Sequence, residues 1–275
     1  MEIANLGDFI GVLKSKQEQS IRAMENRADT RPLVGKLFDF WYRGQRDHTW
    51  HLQPKVFRNH YNERDLTNRF RVLSKSRHMQ SPEYDNYGLF LSLMQHYGLP
   101  TRLLDWSTSP LVGLYFAVEK YIYEPNLSPI DAAVWLLNPY RLNKIELEDP
   151  TTPSIEGWSV RKFLRPAFTS YGPASANFNE SVAEDYLKDG EDKICAVMGV
   201  ETDSRIFAQQ GCFTVHTAPT PLQSAAAAPR FLDRILIPSA SVRTIAEEML
   251  LCGFRKSTLF PDLTNLAEDL EARYR

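Results

Sequence analysis

The chain has 275 residues, of which 43% are hydrophobic and 24% charged, with a formal net charge of −2. That length suits one large or two small domains and buries about three quarters of the unfolded surface. The composition excludes a disordered chain, and the charge excludes a generic polyanion binder while leaving room for a local basic face. Residues 5–25 read as an amphipathic helix, with Leu6, Phe9, Ile10, Leu13 and Ile21 near helical spacing. Residues 37–43 alternate as a strand that Gly44 ends. Residues 61–76 and 84–97 read as helices, and the segment after Pro100 as a loop into a short strand. Asp105, Ser107 or Thr108 is placed to cap the next helix, which carries Pro110 in its first turn and Leu111, Leu114, Tyr115 and Val118 on its apolar face.

Residues 132–137 form a short apolar run expected as a buried strand. Residues 149–180 are rich in Pro, Ser, Thr, Gly and Asn and read as a long irregular excursion. Strands are expected at 194–200, 213–217 and 234–237, and the alanine-rich stretch 224–228 is too short to assign. A helix over 239–252 has Ser239 or Ser241 as cap and Gly253 at its C-terminus, and 262–273 reads as a last helix. With no internal repeat or linker, the simplest reading is a single α+β domain over 1–275, decorated by helices.

Cys195, Cys212 and Cys252 form no CxxC pair and no metal-ligand spacing, which reads as reduced, mostly buried thiols in a reducing cytoplasm. The N-terminus lacks the apolar core of a signal peptide, and no apolar run approaches the roughly 18 residues a bilayer requires. The expectation is a cytoplasmic chain with no membrane partner. The histidines show no HxH, HxxE or HExxH spacing, so no metal is expected; GxxxxGK, GxGxxG and GxSxG are also absent.

The densest chemistry lies in residues 95–110, QHYGLPTRLLDWSTSP. An apolar core face has no need of His96, Arg102, Asp105, Ser107, Thr108 and Ser109 together, because each polar group buried unpaired costs roughly 1–3 kcal/mol. These groups must satisfy one another, the backbone or a ligand. Each has a plain structural reading beside the functional one. Arg43 would pair with Asp39 or Asp47, and Arg102 with Asp105. His96 would make a structural hydrogen bond, Ser107 and Ser109 would be helix caps, Trp106 a packed core residue, and Gln209 and Gln210 part of a turn. The run Arg69, Phe70, Arg71 with Lys75 and Arg77 would be a solvated face.

Tyr42-Arg43-Gly44-Gln45, preceded by Trp41 and followed by Trp50 and Leu52, resembles the signature of the FRG domain family, named for a Phe/Tyr-Arg-Gly motif. The 95–110 segment with its following LYFA resembles that family's second signature, and residues 205–216 and 258–263 are also similar to it. The resemblance spans about residues 38–270, beyond the helix at 5–25. It implies a protein of bacteria or phages, with a toxin or antiphage effector as one role in keeping with that setting.

A second likeness concerns chemistry. ADP-ribosyltransferases of the arginine-serine-glutamate type carry an arginine at the end of a first core strand, a Ser-Thr-Ser motif before a helix, and a glutamate from a third strand. Tyr42-Arg43-Gly44 resembles the first element and Ser107-Thr108-Ser109 the second. The likeness implies a mixed or antiparallel β core, NAD as substrate, and an acceptor protein or nucleic acid. Arg43 would grip phosphate or ribose oxygens, and Gly44 would let the backbone approach the nicotinamide amide. Ser107, Thr108 and Ser109 would set the ribose, and Tyr97 or Trp106 would stack on the nicotinamide. Tyr42, Arg102 and Asp105 complete the expected binding set, and His96 is the acid–base candidate. The third strand is expected around Arg205, Gln209 and Gln210. No glutamate stands there, so Glu201 or Asp203 upstream serves, or a glutamine replaces the carboxylate.

Three readings follow: an NAD-using ADP-ribosyltransferase-like enzyme or NAD glycohydrolase; a nucleic-acid-acting protein, with Trp41, Tyr97 and Trp106 stacking bases; and a non-catalytic nucleotide- or protein-binding module. A deep hollow between Arg43 and Ser107 favours the first, a basic surface over 55–78 the second, and a shallow open patch the third.

Overall fold

The computed structural model describes residues 1–24, 40–59, 61–78, 81–168, 192–201 and 203–274. Six strands form one sheet: β1 (Trp41–Gln45), β2 (Leu103–Ser107), β3 (Ala132–Leu137), β4 (Ile194–Met198), β5 (Gly211–His216) and β6 (Leu232–Ile237). Their order is β4-β5-β2-β1-β3-β6, and every neighbouring pair is antiparallel. The helices are α1 (Leu6–Met24), α2 (Lys55–Arg58), α3 (Glu63–Ser74), α4 (Tyr87–His96), α5 (Pro110–Tyr123), α6 (Pro139–Glu146), α7 (Arg161–Leu164), α8 (Ser204–Gln209), α9 (Val242–Leu251), α10 (Lys256–Leu259) and α11 (Leu263–Tyr274). This is an α+β fold with an antiparallel core.

Strand side chains alternate between two faces. On one face, Tyr42, Val134, Leu136, Ile235 and Ile237 pack under Leu114, Tyr115 and Val118 of α5 and Ile245 and Met249 of α9. The β2-β5-β4 half of that face puts Leu103, Phe213, Val215, Cys195 and Val197 against Phe90, Leu91 and Met94 of α4 and Phe163 and Leu164 of α7. The opposite face gathers Trp41, Trp135, Leu104, Trp106 and Cys212 with Leu142 of α6, Leu52, Leu222 and Phe231. The N-terminus closes the β6 edge, with Ile3 N donating to Leu236 O at 3.1 Å and Leu236 N to Met1 O at 2.8 Å, so the outer strand offers fewer free ladder groups.

The join between β1 and β2 matters most for the site. β1 is in register with β3 along its whole length, from Trp41↔Leu137 to Gln45↔Ala133, and β2 with β5 from Leu103↔Val215 to Ser107↔Gly211. Between β1 and β2 the only paired residues are Tyr42 and Ser107. Past that pair the sheet opens, leaving Arg43 and Gly44 on one lip and Asp105 and Trp106 on the other.

Several local expectations change. Gly44 lies within β1 rather than ending it, and residues 37–39 fall outside the described set. A side chain at Gly44 would meet Gly113 O at 2.1 Å and Ala117 N at 2.4 Å, so the crossing of α5 over β1 requires its bare backbone. Helix α5 is capped by Ser109, with Pro110 in the first turn; Asp105 and Ser107 stay in β2. Leu111 is half-buried at the edge of its apolar face, whereas Leu114, Tyr115 and Val118 are buried.

Arg205 and Gln209 belong to helix α8, not a strand. Asp203 starts that helix by accepting from Arg205 N at 2.8 Å and Ile206 N at 3.0 Å, and Gln210, at φ 47°, ends it in the left-handed region. The expected strand begins one residue later, at Gly211. The 149–180 excursion is irregular over 149–157 and contains short helical turns over 158–168, and residues 169–180 lie outside the described residues. Gly253, at φ 86°, closes α9 as expected, while Ser241 holds the cap position without a side-chain bond.

Candidate active site in the split of the sheet

The opening between β1 and β2 holds a hollow of about 380 Å3. Tyr42, Arg43 and Gly44 of β1 and Asp105, Trp106 and Ser107 of β2 form its two lips. Phe116, Glu119 and Lys120 of α5 wall one side, Arg46, Trp50 and Arg58 another, and Arg205 and Gln209 of α8 a third. Five cations (Arg43, Arg46, Arg58, Lys120 and Arg205) face this space against two carboxylates, Asp105 and Glu119. The arrangement attracts anions, and Trp50, 46% exposed beneath the Arg46 guanidinium at 5.6 Å, adds a flat apolar surface.

Arg43 spans the split. Its Nη1 donates to Asp105 O at 2.7 Å and lies 3.9 Å from the Asp105 carboxylate, while Nε has no partner among the described residues. Burial lowers the pKa of its guanidinium, Asp105 pulls it back up, and Arg58 lowers it further. Arg58 is anchored by Nε and Nη2 on Gln53 O at 2.8 and 2.6 Å, and Arg205 by Nη1 on His96 O at 2.9 Å. Asp105 is held by Gln95, whose Nε2 donates to both carboxylate oxygens at 3.0 and 2.9 Å. These cations are therefore fixed by backbone carbonyls before any ligand arrives.

The Ser-Thr-Ser turn is tied to the segment that sequence reasoning grouped with it. Ser107 Oγ donates to Gln209 O at 2.7 Å and accepts from Ser109 N at 3.0 Å. Thr108 Oγ1 donates to Gln210 Oε1 at 3.1 Å, and Thr108 N to Gln210 O at 3.1 Å. The Ser107 hydroxyl is thus committed to protein groups, and it holds the rim rather than offering a free hydroxyl. Gln209 Nε2 donates to Leu259 O at 2.9 Å.

Other expected residues are placed differently. Arg102 is buried, and its guanidinium grips Glu63 through Nε at 3.1 Å and Nη2 at 2.5 Å and Phe163 O through Nη1 at 3.2 Å. It pairs with α3, not with Asp105, and does not line the hollow. Trp106 is 3% exposed and donates from Nε1 to Thr214 Oγ1 at 3.1 Å, a packed core residue with one edge at the hollow. Tyr97 is exposed beside His96 and outside the hollow. Glu201 is exposed and lines neither the main hollow nor the one adjoining it.

His96 lies in the adjoining hollow of about 40 Å3, which shares Asp105, Trp106, Arg205 and Gln209 with the main one. Its Nδ1 stands 3.2 Å from Asp203 Oδ2, which places a carboxylate beside the ring. A larger hollow of about 480 Å3 lies against α5, α9 and α11, but its floor is Ile122, Leu250, Leu266 and Leu270 and it contains none of the motif residues.

Sequence reasoning missed Arg46, Arg58, Glu119 and Lys120, and quoted Trp50 only as part of a motif. A signal existed for Glu119, which follows Phe116 by three positions and therefore shares its helix face. Glu119 makes no hydrogen bond and no ion pair among the described residues; its neighbour Lys120 is engaged by Glu124 at 3.0 Å. Burial pushes its carboxyl above the usual range against the pull of Lys120 and Lys256. Among the described residues no cluster of His, Cys, Asp and Glu is suited to a metal ion, and no helix is long and apolar enough to cross a membrane.

A sheet split beside a Tyr-Arg-Gly strand and a Ser-Thr-Ser turn is the setting in which comparison with known proteins becomes informative. Residues 39–124 match the family described as FRG domain. That match takes in β1, β2, α5 and both lips of the hollow. No curated protein and no solved structure matches the chain.

Proposed function

We propose that the chain is an NAD-using enzyme of the ADP-ribosyltransferase-like kind, binding its dinucleotide in the split between β1 and β2. The observation that carries this reading is the cationic hollow between Arg43 and the Ser107 turn. Its volume lies within the range of small-molecule sites, and a pyrophosphate supplies the charge that these arginines lack. Arg43 holds phosphate with the guanidinium atoms left over from its bond to Asp105 O, and Trp50 offers a stacking surface to a base. Ser107 keeps the α8 wall in place. The products are ADP-ribose on a protein or nucleic-acid acceptor, or free ADP-ribose where water takes the acceptor's place.

The nucleic-acid reading would draw on the basic residues of the 55–78 region. Arg69 pairs with Asp65 at 3.0 Å, and Arg77 Nη1 caps its own helix at Leu73 O at 2.6 Å. Arg71 is 4% exposed, with its guanidinium 3.5 Å from the centre of the Tyr84 ring. Of this run Arg71 is spent on the fold, while Arg69, Lys75 and Arg77 stay exposed.

The test is NAD binding by calorimetry together with nicotinamide release. Arg43→Ala removes charge-assisted bonds worth about 1.5–3 kcal/mol, so the affinity should fall by roughly tenfold or more while thermal melting shows a folded protein. Unchanged affinity in a folded Arg43→Ala variant would place the nucleotide elsewhere.

A further inference from the structure

We propose that Glu119 is the catalytic base of this hollow, receiving the proton of the water or acceptor hydroxyl that attacks the nicotinamide ribose. The inference rests on the NAD reading above and extends it to a residue that neither motif contains. Four observations carry it. Glu119 lines the hollow from α5, together with Arg43 of β1. It is half-buried and makes no hydrogen bond or ion pair among the described residues, whereas the other carboxylate, Asp105, is bound by Gln95 and stands beside Arg43. Glu201, the glutamate expected from sequence, is exposed and outside the hollow. Finally, a carboxyl whose proton affinity is raised by burial is a better base near neutrality than an ordinary one.

In hydrolysis the step balances as follows. The bond between ribose C1′ and the nicotinamide nitrogen breaks, and its electron pair goes to that nitrogen, discharging the pyridinium. A water oxygen bonds to C1′, its proton passes to the Glu119 carboxylate, and Glu119 later releases that proton to solvent. With an acceptor hydroxyl in place of water, the same proton transfer completes ADP-ribosyl transfer. The charged groups around Glu119 are Lys120 on its own helix and Lys256 on α10. Tyr115 lies on the same helix, and Arg43, Arg46, Arg58, Arg205 and the carboxylate of Asp105 line the same hollow. Desolvation outweighs the pull of the two lysines and raises the carboxyl, so the rate should fall in acid as Glu119 takes up its proton.

The experiment compares wild type, Glu119→Gln and Glu119→Asp for NAD affinity, nicotinamide release and its pH profile, and melting of the free protein. The expected result is Glu119→Gln binding NAD about as tightly as wild type, with kcat lower by about 100-fold or more and the acid limb gone. Glu119→Asp should keep part of the rate. Wild-type kcat and an unchanged acid limb in Glu119→Gln overturn the inference. So does a wild-type rate with no acid limb, a readout that needs no variant to fold. Wild type that binds NAD without turning it over overturns the role of Glu119 and leaves the binding reading standing; absence of NAD binding overturns both.

Discussion

His216 shows how one residue can report on the interior of this sheet. It is fully buried at the end of β5, and burial, aided by the Arg43 and Arg102 cations, pushes its imidazole from 6.5 down to about 3. Thr214 Oγ1 accepts from Trp106 Nε1 at 3.1 Å and lies 2.9 Å from His216 Nε2, so the hydroxyl proton is free to go to a neutral ring. The unfolded chain takes up this proton near 6.5, the folded chain only near 3. Stability from His216 is therefore complete above the unfolded value and lost as pH falls from 6.5 towards about 3, at up to about 1.4 kcal/mol per unit. The melting temperature of wild type should drop across that window more steeply than that of His216→Asn. Parallel curves for the two proteins would show that the histidine does not titrate in this way. Arg102 illustrates a different outcome, since its fork on half-buried Glu63 spends a motif arginine on joining β2 to α3.

At the scale of elements, the crossing of β1 and α5 sets the shape of the hollow. Gly44 and Gly113 face each other there: a side chain at Gly44 would strike Gly113 O at 2.1 Å, and one at Gly113 would come within 2.7 Å of Tyr42 Cβ. Backbone atoms cannot yield as a side-chain tip can, so Gly44→Ala should cost about 1–3 kcal/mol or more in denaturant unfolding and should weaken NAD binding by displacing Phe116 and Glu119. Gly113→Ala should cost less, because alanine in a helix recovers up to about 1 kcal/mol of propensity. A Gly44→Ala protein as stable as wild type would contradict the closeness of this contact. The same crossing explains why Gly44 occupies the middle of a strand, where glycine ordinarily weakens pairing.

For the whole molecule, the relevant contrast is between a net charge of −2 and a hollow lined by five cations and two carboxylates. Positive potential is gathered at the split while the remainder of the surface is acidic overall, which favours small anions at one place over long polyanions along a face. NAD affinity should therefore weaken as ionic strength rises and the screening length shrinks from about 10 Å at 0.1 M to about 3 Å at 1 M, whereas binding of uncharged nicotinamide should be insensitive to salt. Salt-independent NAD binding would mean that the arginines do not contact its phosphates. The split itself is a property of the whole sheet, because two well-registered halves, β4-β5-β2 and β1-β3-β6, meet through the Tyr42↔Ser107 pair.

Local chemistry in the chain was sufficient for most of the elements. The apolar run 132–137 is a strand from end to end, the helix after Ser109-Pro110 starts where a cap and a first-turn proline place it, and Gly253 ends α9 with a positive φ. These features depend on periodicity and on neighbours within a turn, which a sequence displays directly. The density of polar groups in 95–110 likewise marked the region of the site. Tertiary structure alone decided which of those groups face the hollow. Ser107 is bound to a carbonyl 102 residues away, which ties the lip of the hollow to α8, and Arg102 to a glutamate 39 residues away, which takes it out of the lining. Arg58 and Glu119, unremarkable in sequence, are brought to the same hollow from α2 and α5. The physical reason is that a polar side chain's partner depends on strand order and helix crossing. The alternation of apolar residues encodes a buried face but not which distant segment will cover it.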